Sequence, residues 1–486
     1  MPTFYWHDYE TFGADPARDR PVQFAGLRTD EDLNPVGEPL VLFARPADDY
    51  LPSPDACLVT AITPQQALER GVPECEFMAR IHDELARPGT CGVGYNSLRF
   101  DDEVTRHALY RNLFDPYARE WQHGNSRWDL IDVLRTAEAL RPEGIAWPRR
   151  DDGLPSFRLE DLSAANAIEH GAAHDALADV HATLALAQLV RERQPRLFAH
   201  LRARRGKDAA RGMLATAALK PVLHVSGMFG AARHHCSLIV PLAAHPRHSN
   251  EVICFDLAED PGPLIEGDAA WLRELLYTPA AALPAGCRRP GLKSVHLNRC
   301  PVLLPAAMLD GAGAERVGLD GARCRAHLAQ LRRWREGDAA GSAAKLAAIH
   351  ERPGDAAAPD PDLALYGGGF FSDADRRSCD AVRALAPEAL ATATFSFEDP
   401  RLPCMLFRYR ARNFPGTLTA AERERWEDFR YRRLVGEDGF GGLDVDAFNS
   451  RIAALEAGAG RAERELLAAL QAWGDGLLAG GCSAPV

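Results

Sequence analysis

The 486-residue sequence has no paired-cysteine motif, because its eleven cysteines are scattered along the chain without a CxxC spacing. An odd, dispersed set of this kind argues against a disulfide framework or a zinc site, and it predicts reduced thiols that are mostly buried as small apolar groups. The sequence also lacks an N-terminal basic region followed by an apolar run, and it lacks any apolar stretch of roughly 18 residues. We therefore expect neither export nor membrane insertion, and we expect a cytoplasmic location.

A positive net charge is absent as well, since 68 acidic residues outnumber 56 basic ones and the net charge is −12. Taken alone, this balance argues against a nucleic-acid partner. Two stretches differ from the average: residues 191–211 and 408–433 are dense in arginine, and the second interleaves its arginines with aromatic residues. Such patches can follow a phosphate backbone while acids elsewhere set the total. The alternative is that these arginines line solvated helix faces.

The length and composition predict several folded domains. A chain of 486 residues with 46% apolar residues is too long for one core, and its length suggests about three domains. Residues 1–190 mix strand-like and helical runs, which is typical of an α/β domain. Residues 195–345 contain short β-rich runs punctuated by proline and glycine, which suit a small barrel. Residues 351–486 are mainly helical, and a linker-like zone of alanine, glycine and proline precedes them.

The stretch TFYWHDYETFG, residues 3–13, contains the predicted first strand. Since side chains alternate between the two faces of a strand, Asp8 and Glu10 share one side. Adjacent carboxylates raise the cost of ionising each other, so a partly buried pair needs a counter-charge. A divalent cation is the simplest source, and hard carboxylate oxygens favour Mg²⁺ or Mn²⁺. For this pair alone, the alternative is a solvent-facing strand end.

Further acids stand near two predicted helix starts. Asp101 follows an apparent strand and opens a helix, where a single aspartate is more often an N-cap than a metal ligand. His174 precedes Asp179 by five residues, so on one helix the two side chains would point about 140° apart. We therefore predict that Asp175 is the N-cap, that His174 lies in the loop before it, and that Asp179 lies one turn inside the helix. Taken alone, each of these residues is also compatible with a structural role.

The combination of these residues resembles the DEDDh family of 3′-to-5′ exonucleases. The family pattern is an Asp-x-Glu on the first strand, an Asp at a later helix start, and a His-x4-Asp at the helix that closes the domain. The matching positions are Asp8, Glu10, Asp101, His174 and Asp179. The stretches HDYETFG, FFSDADR and LFRYRARNFPGTL extend the resemblance to a three-domain branch of the family. It implies a ribonuclease H-like α/β exonuclease domain with a mixed sheet over 1–190, an SH3-like β-rich domain over 195–345 and an α-helical C-terminal domain over 351–486.

The resemblance assigns expected roles to individual residues. Two Mg²⁺ ions, for which Mn²⁺ can substitute, are expected to be held by four catalytic carboxylates, with Asp8 bridging: Asp8, Glu10, Asp101 and Asp179. His174 is the expected general base, because an imidazole with a pKa of about 6.5 accepts a proton near neutrality. Glu10 and Arg158 are expected to bind the substrate, the latter through a terminal phosphate. The expected DNA contacts are Arg106, Tyr117, Trp121 and Arg135, with core packing as the alternative for the two aromatic residues.

The implied function is hydrolysis of single-stranded DNA from its 3′ end to 5′-mononucleotides, carried out processively by a monomer in DNA repair and recombination. Processivity would follow if the later domains enclose the strand, with residues 408–433 as one wall. The resemblance also implies that the acidic C-terminal tail of single-stranded-DNA-binding protein docks on a basic surface. Two alternatives stay open: an RNA-trimming or proofreading exonuclease with the same five residues, and a non-catalytic scaffold that binds single strands.

Overall fold

The computed structural model describes residues 2–171, 175–284, 286–351, 360–437 and 440–480. By packing, the chain forms two compact units. The first unit contains Met1–Ser126, His170–Leu184 and Asp355–Val486, and the second contains Arg127–Glu169 and Ala185–Gly354. The first unit therefore combines N-terminal and C-terminal segments, so the three sequence domains and the two packing units are different descriptions of the chain.

In chain order, the strands are β1 (Thr3–Thr11), β2 (Pro21–Thr29), β3 (Leu40–Phe43), β4 (Thr90–Gly94), β5 (Ser126–Asp129), β6 (Val222–Val225), β7 (Cys236–Ala244), β8 (Glu251–Asp256), β9 (Leu292–His296) and β10 (Val302–Pro305). The α-helices are α1 (Pro54–Thr60), α2 (Pro64–Arg70), α3 (Glu74–Leu85), α4 (Asp101–Arg111), α5 (Leu130–Leu140), α6 (Leu159–Ala165), α7 (Ala176–Arg193), α8 (Pro195–Arg204), α9 (Lys207–Met213), α10 (Gly262–Glu266), α11 (Ala269–Tyr277), α12 (Gly311–Arg316), α13 (Gly321–Gly337), α14 (Ala339–Ile349), α15 (Asp373–Ala384), α16 (Pro387–Leu390), α17 (Leu402–Asn413), α18 (Ala420–Leu434), α19 (Val445–Glu456) and α20 (Arg461–Leu478). Among the described helices, none is long and apolar enough to cross a bilayer.

The first unit is built on a mixed sheet with helices, as predicted. Four of its strands lie in the order β3-β2-β1-β4, with β1 antiparallel to β2 and parallel to β4. The aromatic residues of β1 favour a strand, and the indole N–H of Trp6 donates to Thr29 Oγ1 at 2.9 Å, which satisfies a buried donor. Tyr5 and Tyr9 pack with side chains of α3 and α4 on one face of the sheet. Because side chains alternate, Asp8 and Glu10 lie on the other face.

The C-terminal helices of the first unit share an apolar core with its N-terminal segments. Buried side chains of α20 recur at helical spacing and form one stripe. They pack in one cluster with residues of β2, α1 and α19 and of the segments after β1 and before α1. The cluster contains Phe12, Val22, Tyr50, Leu51, Cys57, Phe448, Ile452, Leu467, Leu470, Trp473 and Leu477. The helical character predicted for residues 351–486 is confirmed for the described part of that range.

Arginines of the stretch 408–433 are buried in an ion network. Asp49, which is 1% exposed, accepts from Arg412 at 2.7 Å and from Arg433 at 3.0 Å. Arg412 also donates to Asp362 at 2.6 Å. Burial alone would raise the pKa of Asp49, but Arg412 and Arg433 hold that pKa well below its usual range. The expectation that this stretch lies on solvated faces or walls a DNA groove is therefore wrong for these two arginines, and also for Arg408, which pairs with Asp360 at 2.6 Å.

The second unit contains a five-stranded antiparallel sheet in the order β10-β6-β7-β8-β9. Its strands carry buried valine, isoleucine and leucine side chains, which pack with Ala210 of α9 and with Leu214 directly after it in one apolar cluster. The β-rich texture predicted for residues 195–345 is thus present. None of the cysteines in the described ranges forms a disulfide, which agrees with their dispersed spacing.

We predict that Arg412→Met lowers the free energy of unfolding by about 3–5 kcal/mol, because it removes one partner of buried carboxylates that cannot be rehydrated. The measurement is chemical denaturation of the full chain. The matched control is Arg451→Met, since the ion pair of Arg451 with Asp55 is half-exposed and such pairs contribute little. Equal destabilisation by both substitutions would contradict a structural role for the buried network.

Candidate active site

Three carboxylates from β1 and α7 meet in the first unit. Asp8 and Glu10 lie on β1, Asp179 lies in the first turn of α7, and each offers an oxygen within 4.8 Å of the others. Glu10 is buried, whereas Asp8 and Asp179 are partly exposed. The alternation argument from the sequence correctly places Asp8 and Glu10 on one side of the strand. These three groups form a cluster that is partly open to solvent.

Asp101 adds a fourth carboxylate from α4. It is 4% exposed, and its Oδ1 accepts from the backbone N–H of Tyr9 at 3.2 Å. Asp101 is the first residue of α4, after Phe100 at the N-cap position, where no side chain caps the helix. The N-cap alternative for Asp101 is therefore wrong, because its carboxylate turns toward β1. The neighbouring Asp102 is instead paired with Arg119 at 2.7 Å.

The start of α7 is attached to the sheet beside Glu10. Asp175 is the N-cap as predicted, since its Oδ1 accepts from the backbone N–H of Ala178 at 3.2 Å. Gln23 of β2 lies opposite Glu10 in the strand register and donates to Asp175 Oδ2 at 3.2 Å. This contact fixes the first turn of α7, and with it Asp179, relative to the strands. His174, the expected general base, lies outside the described residues.

Burial and mutual repulsion dominate the electrostatics of the cluster. The pKa of Asp8 is raised well above its ordinary value by burial first, and then by the charges of Asp101 and Asp179. The pKa of Glu10 is raised to about 8 by burial, Asp179 and Asp175. Carboxylates in this state need either protons or cations. Their oxygens are hard ligands at short mutual distances, so the residues present fit a divalent cation such as Mg²⁺ or Mn²⁺.

Two residues that were not predicted from the sequence, His170 and Gln23, also contact side chains of the site. His170 Nε2 lies 2.6 Å from Asp179 Oδ1, and Gln23 holds Asp175 as described above. The signal for Gln23 was present in the sequence, because the strand pairing that places it opposite Glu10 follows from two adjacent predicted strands. His170 gave no comparable signal, since a loop residue has no periodicity from which its direction can be read.

Two of the expected DNA contacts, Arg106 and Tyr117, lie together. The guanidinium of Arg106 lies 5.5 Å from the ring centroid of Tyr117, and it pairs with Glu120 and with Glu103, each at 2.7 Å. The ring of Tyr117 meets the edge of Phe370 at 5.8 Å, and Phe370 is 83% exposed. The charge of Arg106 is therefore already balanced inside the protein, and an aromatic surface lies beside it.

Trp121, the third expected contact in this unit, is 67% exposed. Such exposure is unusual for a large aromatic side chain. The core-packing alternative is therefore wrong for Trp121, whereas Tyr117 is half-buried and does pack against neighbours. The ring of Trp121 is open to a planar partner.

Arg135 and Arg158 belong to the second unit. Arg135 is largely buried, pairs with Asp132 at 2.8 Å, and its guanidinium lies 5.9 Å from the ring centroid of Phe157. Arg158 is the N-cap residue of α6, and its side chain is 75% exposed, with Glu160 at 3.9 Å. Arg158 thus presents an open guanidinium, whereas that of Arg135 is partly neutralised.

Three family models match the chain. They are described as Exonuclease, over residues 5–187, Exonuclease I SH3-like domain, over 205–352, and Exonuclease I C-terminal domain, over 359–477. Among curated proteins, the chain is 51% identical to exodeoxyribonuclease I of Escherichia coli (strain K12), over 90% of this chain and 90% of that protein.

Solved structures of exonuclease I are also similar to this chain. Exonuclease I from Methylocaldum szegediense has a TM-score of 0.93 and 53% identity, covering 98% of this chain and 100% of that one. E. coli exonuclease I in complex with a dA16 oligonucleotide has a TM-score of 0.92 and 46% identity, with the same coverage. The zinc-bound E. coli exonuclease I complex with single-stranded DNA has a TM-score of 0.91 and 46% identity, with the same coverage. The structure of SSB/exonuclease I in complex with the inhibitor CFAM has a TM-score of 0.88 and 46% identity, again with the same coverage.

We predict that the stability of the metal-free protein falls as the pH rises from about 4.5 to 8. Over this range the unfolded chain releases the proton of Glu10 while the folded protein, with its raised pKa, still binds it. The stability that this proton confers is therefore present at low pH, and it is lost as the pH rises through the pKa that Glu10 has in the folded protein. Thermal unfolding in chelator measures the slope, and adding Mg²⁺ at pH 8 should restore stability.

The substitution Glu10→Gln should make this slope shallower, because the amide does not titrate. The exposed Glu69 supplies the control, and Glu69→Gln should leave the slope unchanged. A Glu10→Gln slope equal to that of the unsubstituted protein would contradict the account of the site.

Proposed function

This chain belongs to the exonuclease I family, and we propose that it hydrolyses single-stranded DNA from the 3′ end and releases 5′-mononucleotides. It is an exonuclease with an exonuclease domain, an SH3-like domain and a C-terminal domain. The observation that carries the proposal is the convergence of Asp8, Glu10 and Asp179 within 4.8 Å of one another. The oligonucleotide bound to the E. coli relative supports DNA as the substrate.

The carboxylate cluster is proposed to hold two Mg²⁺ ions, for which Mn²⁺ would substitute. Its members are Asp8, Glu10, Asp101 and Asp179. When bound, such cations orient the attacking water and stabilise charge on the phosphoryl oxygens and on the departing 3′ oxygen. The raised pKa values of Asp8 and Glu10 support this proposal, because these carboxylates gain most from a cation. The zinc in the E. coli complex supports a divalent cation in general terms.

His174 is proposed as the general base that takes a proton from the attacking water. An imidazole suits this task because its ordinary pKa of about 6.5 lies near neutrality. Its sequence position, directly before the N-cap Asp175 and five residues before Asp179, supports the assignment. Glu10 and Arg158 are proposed to bind the terminal nucleotide, Arg158 through its exposed guanidinium, which can pair with a phosphate in a bidentate way.

The single strand is proposed to run over Arg106, Tyr117 and Trp121, and to contact Arg135. Base stacking on an aromatic ring is independent of sequence, and the exposure of Trp121 supports this role. Arg106 is paired with two glutamates, so we expect it to contribute little to neutralising the phosphates. Its proposed contribution is to hold Tyr117 and to donate hydrogen bonds to the strand. Polar contacts of this kind fix the position of a strand without reading its sequence.

Other expectations from the sequence stay proposals. They are processive action, a monomeric state, cytoplasmic location, a role in DNA repair and recombination, and the domain boundaries 1–190, 195–345 and 351–486. Docking of the acidic tail of single-stranded-DNA-binding protein is supported by the solved structure described as SSB/exonuclease I in complex with the inhibitor CFAM. The buried ion network means that processivity has to be tested by point substitutions, since removal of residues 351–486 would leave Asp49 without its buried partners.

The function is tested by incubating the full chain with 5′-labelled single-stranded DNA, duplex DNA and a matched RNA strand. We expect a ladder that shortens from the 3′ end on single-stranded DNA with Mg²⁺, and no products in chelator. Faster release from RNA would instead indicate an RNA-trimming enzyme, and the absence of cleavage with retained binding would indicate a scaffold.

Two substitutions serve as controls for that assay. Asp8→Asn should abolish cleavage, because it removes a carboxylate of the proposed cation site. His174→Ala should retain binding of the labelled strand and lower turnover by about 10²- to 10⁴-fold, which is the usual contribution of a general base. Undiminished turnover in that variant would remove His174 from the mechanism.

Replacement of the exposed indole gives a second test. Trp121→Ala should raise KM for long single strands by about 5- to 150-fold, since stacking of one base contributes about 1–3 kcal/mol, and it should change KM for dinucleotides less. Trp271→Ala on α11, where the side chain is 43% exposed, is the matched control and should leave both values unchanged. Equal effects of Trp121→Ala on long and short substrates would contradict the stacking role.

A further inference from the structure

A direct hydrogen bond joins His170 to a carboxylate of the proposed metal site. Nε2 of the imidazole lies 2.6 Å from Oδ1 of Asp179. Both side chains are largely buried, with 9% of His170 and 17% of Asp179 exposed. With a cation bound, Asp179 is ionised and its carboxylate can only accept hydrogen bonds, so in that state Nε2 carries the hydrogen and donates. This holds for the neutral Nε2–H tautomer and for imidazolium alike, so the contact does not depend on a change of protonation.

We propose that His170 is a positioning residue, which fixes the Asp179 carboxylate in the orientation that binds the cation by donating to Oδ1 and leaving the second oxygen to the site. The inference rests on the proposed metal-dependent nuclease function. Hydrogen bonds to metal-binding carboxylates from outside the ligand set commonly orient them in this way. His170 would thus act through Asp179 and not on the substrate.

The need for such a residue follows from the charges around Asp179. Asp8 and Glu10 repel its carboxylate, as the contribution of Asp179 to their raised pKa values indicates. Before a cation arrives, an unrestrained Asp179 would rotate toward water and away from the other two carboxylates. A donor at a fixed position restricts the rotation of the Asp179 carboxylate, so less conformational entropy is lost when the cation binds.

A parallel contact supports this view of the first turn of α7. The Nε2–H of Gln23 donates to Asp175 Oδ2 at 3.2 Å, and Gln23 is 3% exposed. Asp175 and Asp179 are thus each bound by a side chain from a different segment of the first unit, Gln23 from β2 and His170 from the residues before α7. Together these contacts fix both the helix start and the carboxylate that it carries.

The test measures Mn²⁺ binding to the full chain without DNA, by electron paramagnetic resonance or titration calorimetry. His170→Leu should weaken Mn²⁺ binding by about 10- to 100-fold, the usual effect of removing a residue that orients a ligand. His170→Gln should retain most of the affinity, because its side-chain amide can donate to the same oxygen. The control is His181→Leu, at an exposed position on α7, the helix that carries Asp179. This variant should bind Mn²⁺ like the unsubstituted protein.

Kinetics give a second readout. For His170→Leu, the Mn²⁺ concentration that gives half-maximal cleavage should rise by the same factor as the dissociation constant, while kcat at saturating Mn²⁺ stays near that of the unsubstituted protein. A reduced kcat with unchanged Mn²⁺ affinity would overturn the proposal in favour of a direct chemical role. Equal loss of affinity in the Gln and Leu variants would also overturn it, because the donated hydrogen bond would then not be the cause.

Failure of this inference can be told apart from failure of the proposed function. If the unsubstituted protein binds Mn²⁺ and Asp8→Asn does not, the metal site exists, and an unchanged affinity in His170→Leu then refutes only the role of His170. If the unsubstituted protein does not bind Mn²⁺ at all, the proposed function fails, and this inference falls with it. A thermal unfolding temperature close to that of the unsubstituted protein establishes that each variant is folded when its Mn²⁺ affinity is measured.

Discussion

The constraint on which the rest depends is the mutual repulsion of carboxylates that the chain brings together from β1, α4 and α7. Pairing of β1 with β2 fixes Asp8 opposite Ala25 and Glu10 opposite Gln23. The backbone N–H of Tyr9 binds Asp101, and Gln23 and His170 bind the first turn of α7. Each acid is thus held by a hydrogen-bond donor or by the sheet itself, so fixed geometry keeps the carboxylates together despite their repulsion. A cation then binds to oxygens that are already close.

The protein contains two kinds of aspartate with opposite electrostatics. Asp49 lies among arginines, and its pKa is well below the ordinary range, so it stays ionised and stabilises the fold. Asp8 lies among other acids, and its pKa is well above that range. Neither environment can be inferred from the residue type. The contrast separates a structural carboxylate from a functional one, because strongly perturbed groups without a compensating partner are typical of sites that bind or react.

The sequence predicted the fold where the signal is local. Alternation along residues 3–13 places Asp8 and Glu10 correctly, and Asp175 caps α7 as its position before a helical run indicates. Prediction failed where the partner is remote. Arg412 looked like a surface cation because Asp49, 363 residues away, gives no local sign of its presence. For Asp101, taken alone, an N-cap was the simpler interpretation because a helix start is visible in the sequence. Only the family resemblance placed it among the metal ligands, since the Tyr9 N–H that binds its carboxylate is 92 residues away.

The distance between Asp49 and Arg412 also bears on how the chain is made. A ribosome adds about 5–20 residues per second, so the 363 residues that separate the two correspond to about 20–70 seconds of synthesis. Through that interval the nascent N-terminal segment lacks Arg412 and Arg433, two of the arginines that neutralise Asp49, and it lacks the side chains of α19 and α20 that cover its apolar residues. Helices that are synthesised late therefore complete the apolar core of the first unit.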